Sequence, residues 1–167
     1  MRLATHALSD SHLARLAETI GLLAGRGADL SPLTPFRLGI IGTGTLDLLI
    51  PALIGSAARH GIRLECVPAE YRQIAQEALD AESKINRAKC DAVLIAADYR
   101  SLPIPASLKD RNGCVDACIT FLDMVREGFR RNSGSVNIIQ TFAPPAETHS
   151  EALIPESPAR CGVSLPR

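Results

Sequence analysis

Four short apolar runs, "FRLGII", "IRLECV", "DAVLIAA" and "SVNIIQTF", are each separated from the next by a stretch of helical periodicity. That alternation constrains the fold more than any other feature of the chain. After the first run, Leu46, Leu49, Ile50, Leu53, Ile54 and Ala57 make a helical stripe, closed by His60 and Gly61. "EYRQIAQEALDAESKINRAK" reads as one helix broken near Asp80, or as two short ones, because Asp and Ser favour turns and caps. Val115, Cys118, Ile119, Leu122, Val125 and Phe129 stripe a further helix before the last run. Strands alternating with helices predict an α/β, three-layer sandwich around a parallel sheet of about four strands, joined by right-handed crossovers. "FRLGII" is apolar nearly throughout and is expected at the centre, flanked by "IRLECV" and "DAVLIAA", with "SVNIIQTF" beyond the latter. "IRLECV" alternates apolar with charged residues, as an edge strand can.

The remainder divides around this unit. Leu13, Leu16, Ala17, Ile20, Leu23 and Ala24 predict a helix in an N-terminal segment, residues 1–34, that ends in the proline-containing linker "ADLSPLTP". The α/β domain is expected over residues 35–145, and residues 146–167, rich in proline and without periodicity, read as an irregular tail. Lysine plus arginine balance aspartate plus glutamate, 18 against 18, so no net field draws the chain to nucleic acid or to an anionic membrane. Aromatic residues are 4% of the chain and tryptophan is absent, which argues against base-stacking platforms. The N-terminus lacks the apolar core of a signal peptide and no stretch is long enough to span a bilayer, so a cytoplasmic protein is expected. The five cysteines are scattered and read as small hydrophobes in a reducing compartment; Cys114 and Cys118, one helical turn apart, have no histidine or second cysteine pair nearby in sequence, and neither a metal nor a cofactor is expected.

The candidate site is the turn after the first strand, "GTGTLD". Ligands in open α/β sheets bind outside the carboxyl ends of strands, which also brings Tyr71, Asp98 and Tyr99 toward this turn. A phosphate-binding loop would need a Gly-Lys-Ser/Thr ending, and no lysine lies near Gly44. A dinucleotide fingerprint would need a third glycine where Asp47 stands, a charge that opposes an anion at the helix start or caps the helix itself. Esterases of the SGNH type carry Gly-Asp-Ser at this place; Gly42, Thr43 and Gly44 match the placement but not the residues. Thr43 and Thr45 offer hydroxyls, yet an activated hydroxyl needs a base and an orienting acid. The late Asp-x-x-His of such enzymes is missing, His149 has no helix around it, and His6, His12 and His60 fall in a helix-leading segment or at helix ends. "IAADYR" likewise places Tyr99 and Arg100 where an oxyanion-hole asparagine would stand. The turn is therefore expected to bind through Thr43, Gly44 and Thr45 with Tyr71, Asp98 and Tyr99, and to carry no catalytic nucleophile.

Taken together, "FRLGIIGTGTLDLLIPAL" and "EYRQIAQEALDAESKINRAKCDAVLIAADYR" resemble the N-terminal region of FkbH-like proteins. Tyr71, Gln73, Gln76, Glu77, Leu79, Asp80, Ser83 and Asp91 occupy the positions of that family's "YxQxxQExLDxxSxLxxxxPDVVxL" stretch. Cys90 stands where proline is usual, and Glu70 and Arg72 replace the glycines that flank the tyrosine. The resemblance spans roughly Phe36 to Pro145. It implies a flavodoxin-like, SGNH-hydrolase-like N-terminal domain, typically followed by a haloacid-dehalogenase-type domain. It also implies a role in placing a glyceryl unit from a phosphorylated glycerate onto an acyl carrier protein in polyketide or related pathways. The Asp-x-Asp motif of the dehalogenase-type domain does not occur in this sequence, so an acyl carrier protein or a separate catalytic domain is the expected partner. Three readings follow: a non-hydrolytic recognition domain of an FkbH-like system, an SGNH-like esterase with a rearranged triad, or a purely structural interaction domain.

Overall fold

The computed structural model describes residues 8–70, 73–98, 101–103 and 111–140. In chain order these hold α1 (Asp10–Gly25), β1 (Thr34–Gly42), α2 (Leu49–Arg59), β2 (Ile62–Pro68), α3 (Ile74–Leu79), α4 (Lys84–Ala88), β3 (Ala92–Ala96), α5 (Arg111–Asn132) and β4 (Val136–Ile139). The four strands form one parallel sheet in the order β2-β1-β3-β4, the order the apolar patterning predicts.

Side-chain alternation along β1 splits the core into two layers. Leu38 and Ile40 point to one face with Ala92, beneath Leu46, Ile50 and Leu53 of the turn and α2. Ile41 points to the other with Val93 and Ile95, beneath Ile74 and Ala78 of α3, Ile85 of α4 and Val125 and Phe129 of α5. Helices on both faces of a parallel sheet make the three-layer sandwich. α1 joins the first helical layer by packing on α2, where a Cβ at Gly55 would lie 2.8 Å from the Cα of Leu13. Only Ile20 of α1 is buried, so Leu23 and Ala24, which the periodicity places on the apolar face, stay exposed.

The broken helix resolves into α3 and α4, and the residues of the "QExLDxxS" stretch build the break. Ser83 caps α4 by accepting from the Asn86 amide (3.3 Å) and donates to the Glu77 carbonyl (2.8 Å). The buried Glu77 carboxylate accepts from the Ile85 amide (3.4 Å), and Asp80 Oδ1 accepts from the Glu82 amide (2.9 Å). Asn86 Nδ2 donates to the carbonyls of Glu77, Ala78 and Asp80, and Asn132 Nδ2 reaches from α5 to those of Ala78 and Leu79. The carbonyls at the end of α3, which have no partners within the helix, are satisfied by these side chains.

One expectation changes. Val115 and Ile119 are exposed, 55% and 53%, because α5 meets α3 and the sheet only along its second half. β4 is the second edge strand, and its Val136 and Ile138 are exposed on the α2 face, where no described helix covers them. The tail at residues 146–167 lies outside the described residues. No helix among the described residues is long and apolar enough to cross a membrane.

Candidate functional site

β1 ends on Gly42 because the sheet closes tightly there: a Cβ would meet the Ala96 carbonyl oxygen of β3 at 2.6 Å. The chain then leaves the sheet at Thr43, Gly44 and Thr45. The backbone of Asp98, just past β3, donates its amide hydrogen to Thr43 Oγ1 at 3.2 Å. The Asp98 carbonyl in turn accepts from Ser101 Oγ (2.7 Å) and from the Ser101 amide (3.1 Å). Thr43 and Asp98 are thus brought together at the carboxyl rim, both half-buried, while Gly44 and Thr45 are exposed. Tyr71 and Tyr99 lie outside the described residues.

A Cβ at Gly44 would meet nothing within 4 Å, so neither packing nor a left-handed backbone excludes a side chain there. Asp47 does not cap α2. The N-cap is Leu48, in a right-handed helical conformation, and no side chain bonds to the first amides. The sequence reading passed over two rim residues. Ser101 fixes the Asp98 turn, a role signalled only by its i+3 spacing in a polar segment. Leu48 is 88% exposed immediately before α2; it falls between stripe positions, so periodicity gives it no inward role.

The chemistry available at this rim is that of hydrogen bonding. Thr43 Oγ1 accepts from a backbone amide, which orients the hydroxyl rather than removing its proton. His12 Nδ1 bonds to Ser9 Oγ (3.0 Å) at the start of α1. His60 closes α2 at the opposite end of the sheet, beside the start of β2. His6 and His149 fall outside the described residues. Among the described residues no cluster of three or more His, Cys, Asp or Glu side chains could hold a metal ion. The thiols of Cys66 and Cys90 lie in the two core layers, where burial pushes both up to about 11; Cys118, in contact with Cys114, is also raised, first by burial.

The fold and this rim define a parallel, doubly wound α/β domain whose candidate site lies beyond the carboxyl ends of its first and third strands. Among solved structures, the chain is similar to the N-terminal part of the protein BF1531 from Bacteroides fragilis, which contains a phosphatase domain and was solved in complex with Mg. The TM-score is 0.65 at 18% sequence identity, over 84% of this chain and 35% of that one, so the likeness is one of fold and the chain spans about a third of the neighbour's length. No family model and no curated protein matches the chain.

Proposed function

We propose that this chain is a non-hydrolytic recognition domain of an FkbH-like system. In this reading the rim at Thr43, Gly44, Thr45 and Asp98 receives a glyceryl or acyl unit tethered to an acyl carrier protein, and a separate haloacid-dehalogenase-type domain supplies the chemistry. The observation that carries the reading is the bond from the Asp98 amide to Thr43 Oγ1. It turns the one hydroxyl in the serine-like turn that is partly withdrawn from solvent into a brace between β1 and β3. Fold similarity to part of a phosphatase-containing protein supports the setting, and the motif shared with FkbH-like proteins supports the partner.

The test is chemical-shift mapping of the isotope-labelled chain against a phosphorylated glycerate and against an acyl carrier protein carrying a glyceryl unit. The reading expects saturable shifts at Thr43, Thr45 and Asp98 with the carrier-bound unit, weakened in Thr43→Val. Shifts confined to the amino ends of the strands, around Arg37 and Asp91, would refute it.

A further inference from the structure

α5 has two unequal halves. The second packs on the sheet and α3 through Val125 and Phe129, and the described ion pairs of α5, Asp123–Arg126, Glu127–Arg130 and Glu127–Arg131, all lie there. The first half, "NGCVDACI", is rich in residues that favour a helix only weakly, glycine least of all. Its Val115 and Ile119 are exposed, so little tertiary burial makes up for that low propensity.

Two thiols sit in this weak half. Cys114 and Cys118 are free, half-buried and one helical turn apart, with their side chains in contact. Cys66 and Cys90, by contrast, lie in opposite core layers, and Cys161 is outside the described residues. Helical residues four apart hold their Cβ atoms about 5–6 Å from each other, whereas a disulfide needs about 3.5–4.5 Å. The pair is close enough for the side chains to touch and too far apart to be bridged while the helix keeps its geometry. Bridging must distort the backbone between them, and that backbone is the part of α5 with least to hold it.

We propose that Cys114 and Cys118 form a reversible disulfide that unwinds the first half of α5, a redox switch operated by a small-molecule disulfide. Cys114 loses its proton to water and attacks one sulfur of that disulfide, forming a mixed disulfide and expelling one thiolate. Cys118 then loses its proton to water and attacks Cys114 Sγ, closing the S–S bond and expelling the second thiolate. Two protein thiols are oxidised as one disulfide is reduced to two thiols. Burial raises the Cys118 thiol, which gives the first attack to Cys114 and the second to Cys118. A bridge closed against the helix is strained and is readily reduced again. The switch stands whether or not the Thr43 rim receives a carrier-bound unit.

The test treats the full chain with glutathione disulfide and follows it by intact and peptide mass spectrometry and by far-UV circular dichroism. Expected are the loss of two of the five thiols, a Cys114–Cys118 link, and a fall in helical signal worth about two turns, all restored by dithiothreitol. Cys114→Ser and Cys118→Ser, each with the parent's spectrum when reduced, should keep their full helical signal under the same treatment, and Cys118→Ser should take up one glutathione at Cys114. Absence of an intramolecular bridge, a link to Cys161 or between chains in its place, or a Cys114–Cys118 bridge formed with undiminished helical signal would overturn the proposal.

Discussion

Asn86 gives the sharpest test of how this fold is held, because the more conservative of two substitutions there is the more damaging. Its side chain is 1% exposed, and its Nδ2 donates to the carbonyls of Asp80 (2.8 Å), Glu77 (3.0 Å) and Ala78 (3.4 Å). Alanine removes these bonds, a loss of about 2 kcal/mol for two good bonds and one long one. No carbonyl is orphaned: Glu77 keeps Ser83 Oγ, Ala78 keeps Asn132 Nδ2 and Asp80 keeps the Ser83 amide. Alanine also removes Asn86 Oδ1, which is buried without a partner, and that relief of about 1 kcal/mol offsets the small cavity it leaves. The expected cost of Asn86→Ala is therefore about 2 kcal/mol. Asn86→Asp instead sets a carboxylate against three carbonyl oxygens, so the folded protein must keep it protonated. Relative to an unfolded pKa of about 3.9, holding that proton at pH 7 costs about 4 kcal/mol on top of the lost donors. The sign is fixed: the folded pKa is raised, so the penalty grows as pH rises above the unfolded value and falls to about 1 kcal/mol near pH 4.5. Urea denaturation followed by circular dichroism at pH 7 and pH 4.5 measures both variants. A pH-independent gap, or an Asp variant as stable as the Ala variant at pH 7, would refute the reasoning.

The two glycines of the turn should behave oppositely in thermal melts. Gly42→Ala drives a methyl to 2.6 Å from the Ala96 carbonyl oxygen and should cost about 1–3 kcal/mol, whereas Gly44→Ala, in open space, should stay within about 0.5 kcal/mol. Gly55→Leu forces a side chain into the backbone of Leu13 and should release α1 from α2, read as faster tryptic cleavage after Arg15 with strand signals retained. Because burial raises the Cys66 and Cys90 thiols from 9.0 to about 11, the unfolded chain ionises first; stability should be unaffected below about pH 9 and should fall as pH rises from there to 11. Chemical denaturation at pH 8 and pH 10.5 shows that fall, and Cys90→Ala should blunt it.

The sheet is legible in the sequence because a one-residue strand shift would exchange its two faces, so the pattern of β1 and β2 must carry the register. β1 reads as uniformly apolar because Ile40 and Ile41, on opposite faces, are both fully buried. β4 misleads by the same criterion: three of the four residues of "VNII" are apolar, yet those three are the exposed ones, since hydropathy records what a strand can cover and not what covers it. The first half of α5 misleads likewise, its Val115 and Ile119 continuing a stripe past the point where the sheet supports it. At the site, placing Thr43 and Asp98 together follows from topology alone, but the bond between them depends on a backbone amide, which side-chain identity does not announce. The "QExLDxxS" stretch is legible as a motif, and its Glu77, Asp80 and Ser83 spend their polar groups on ending α3 and starting α4. A motif of polar residues can specify a turn as readily as a site.

The central claim, that the serine-like turn braces and recognises without attacking, meets its most direct test in hydrolysis of p-nitrophenyl acetate by the purified chain beside its Thr43→Ala and Thr45→Ala variants. The account predicts rates for all three equal to the protein-free background, with Thr43→Ala detectable only as a loosened Asp98 amide in hydrogen exchange. Turnover well above background that disappears in either threonine variant would contradict it and make the turn a working active site.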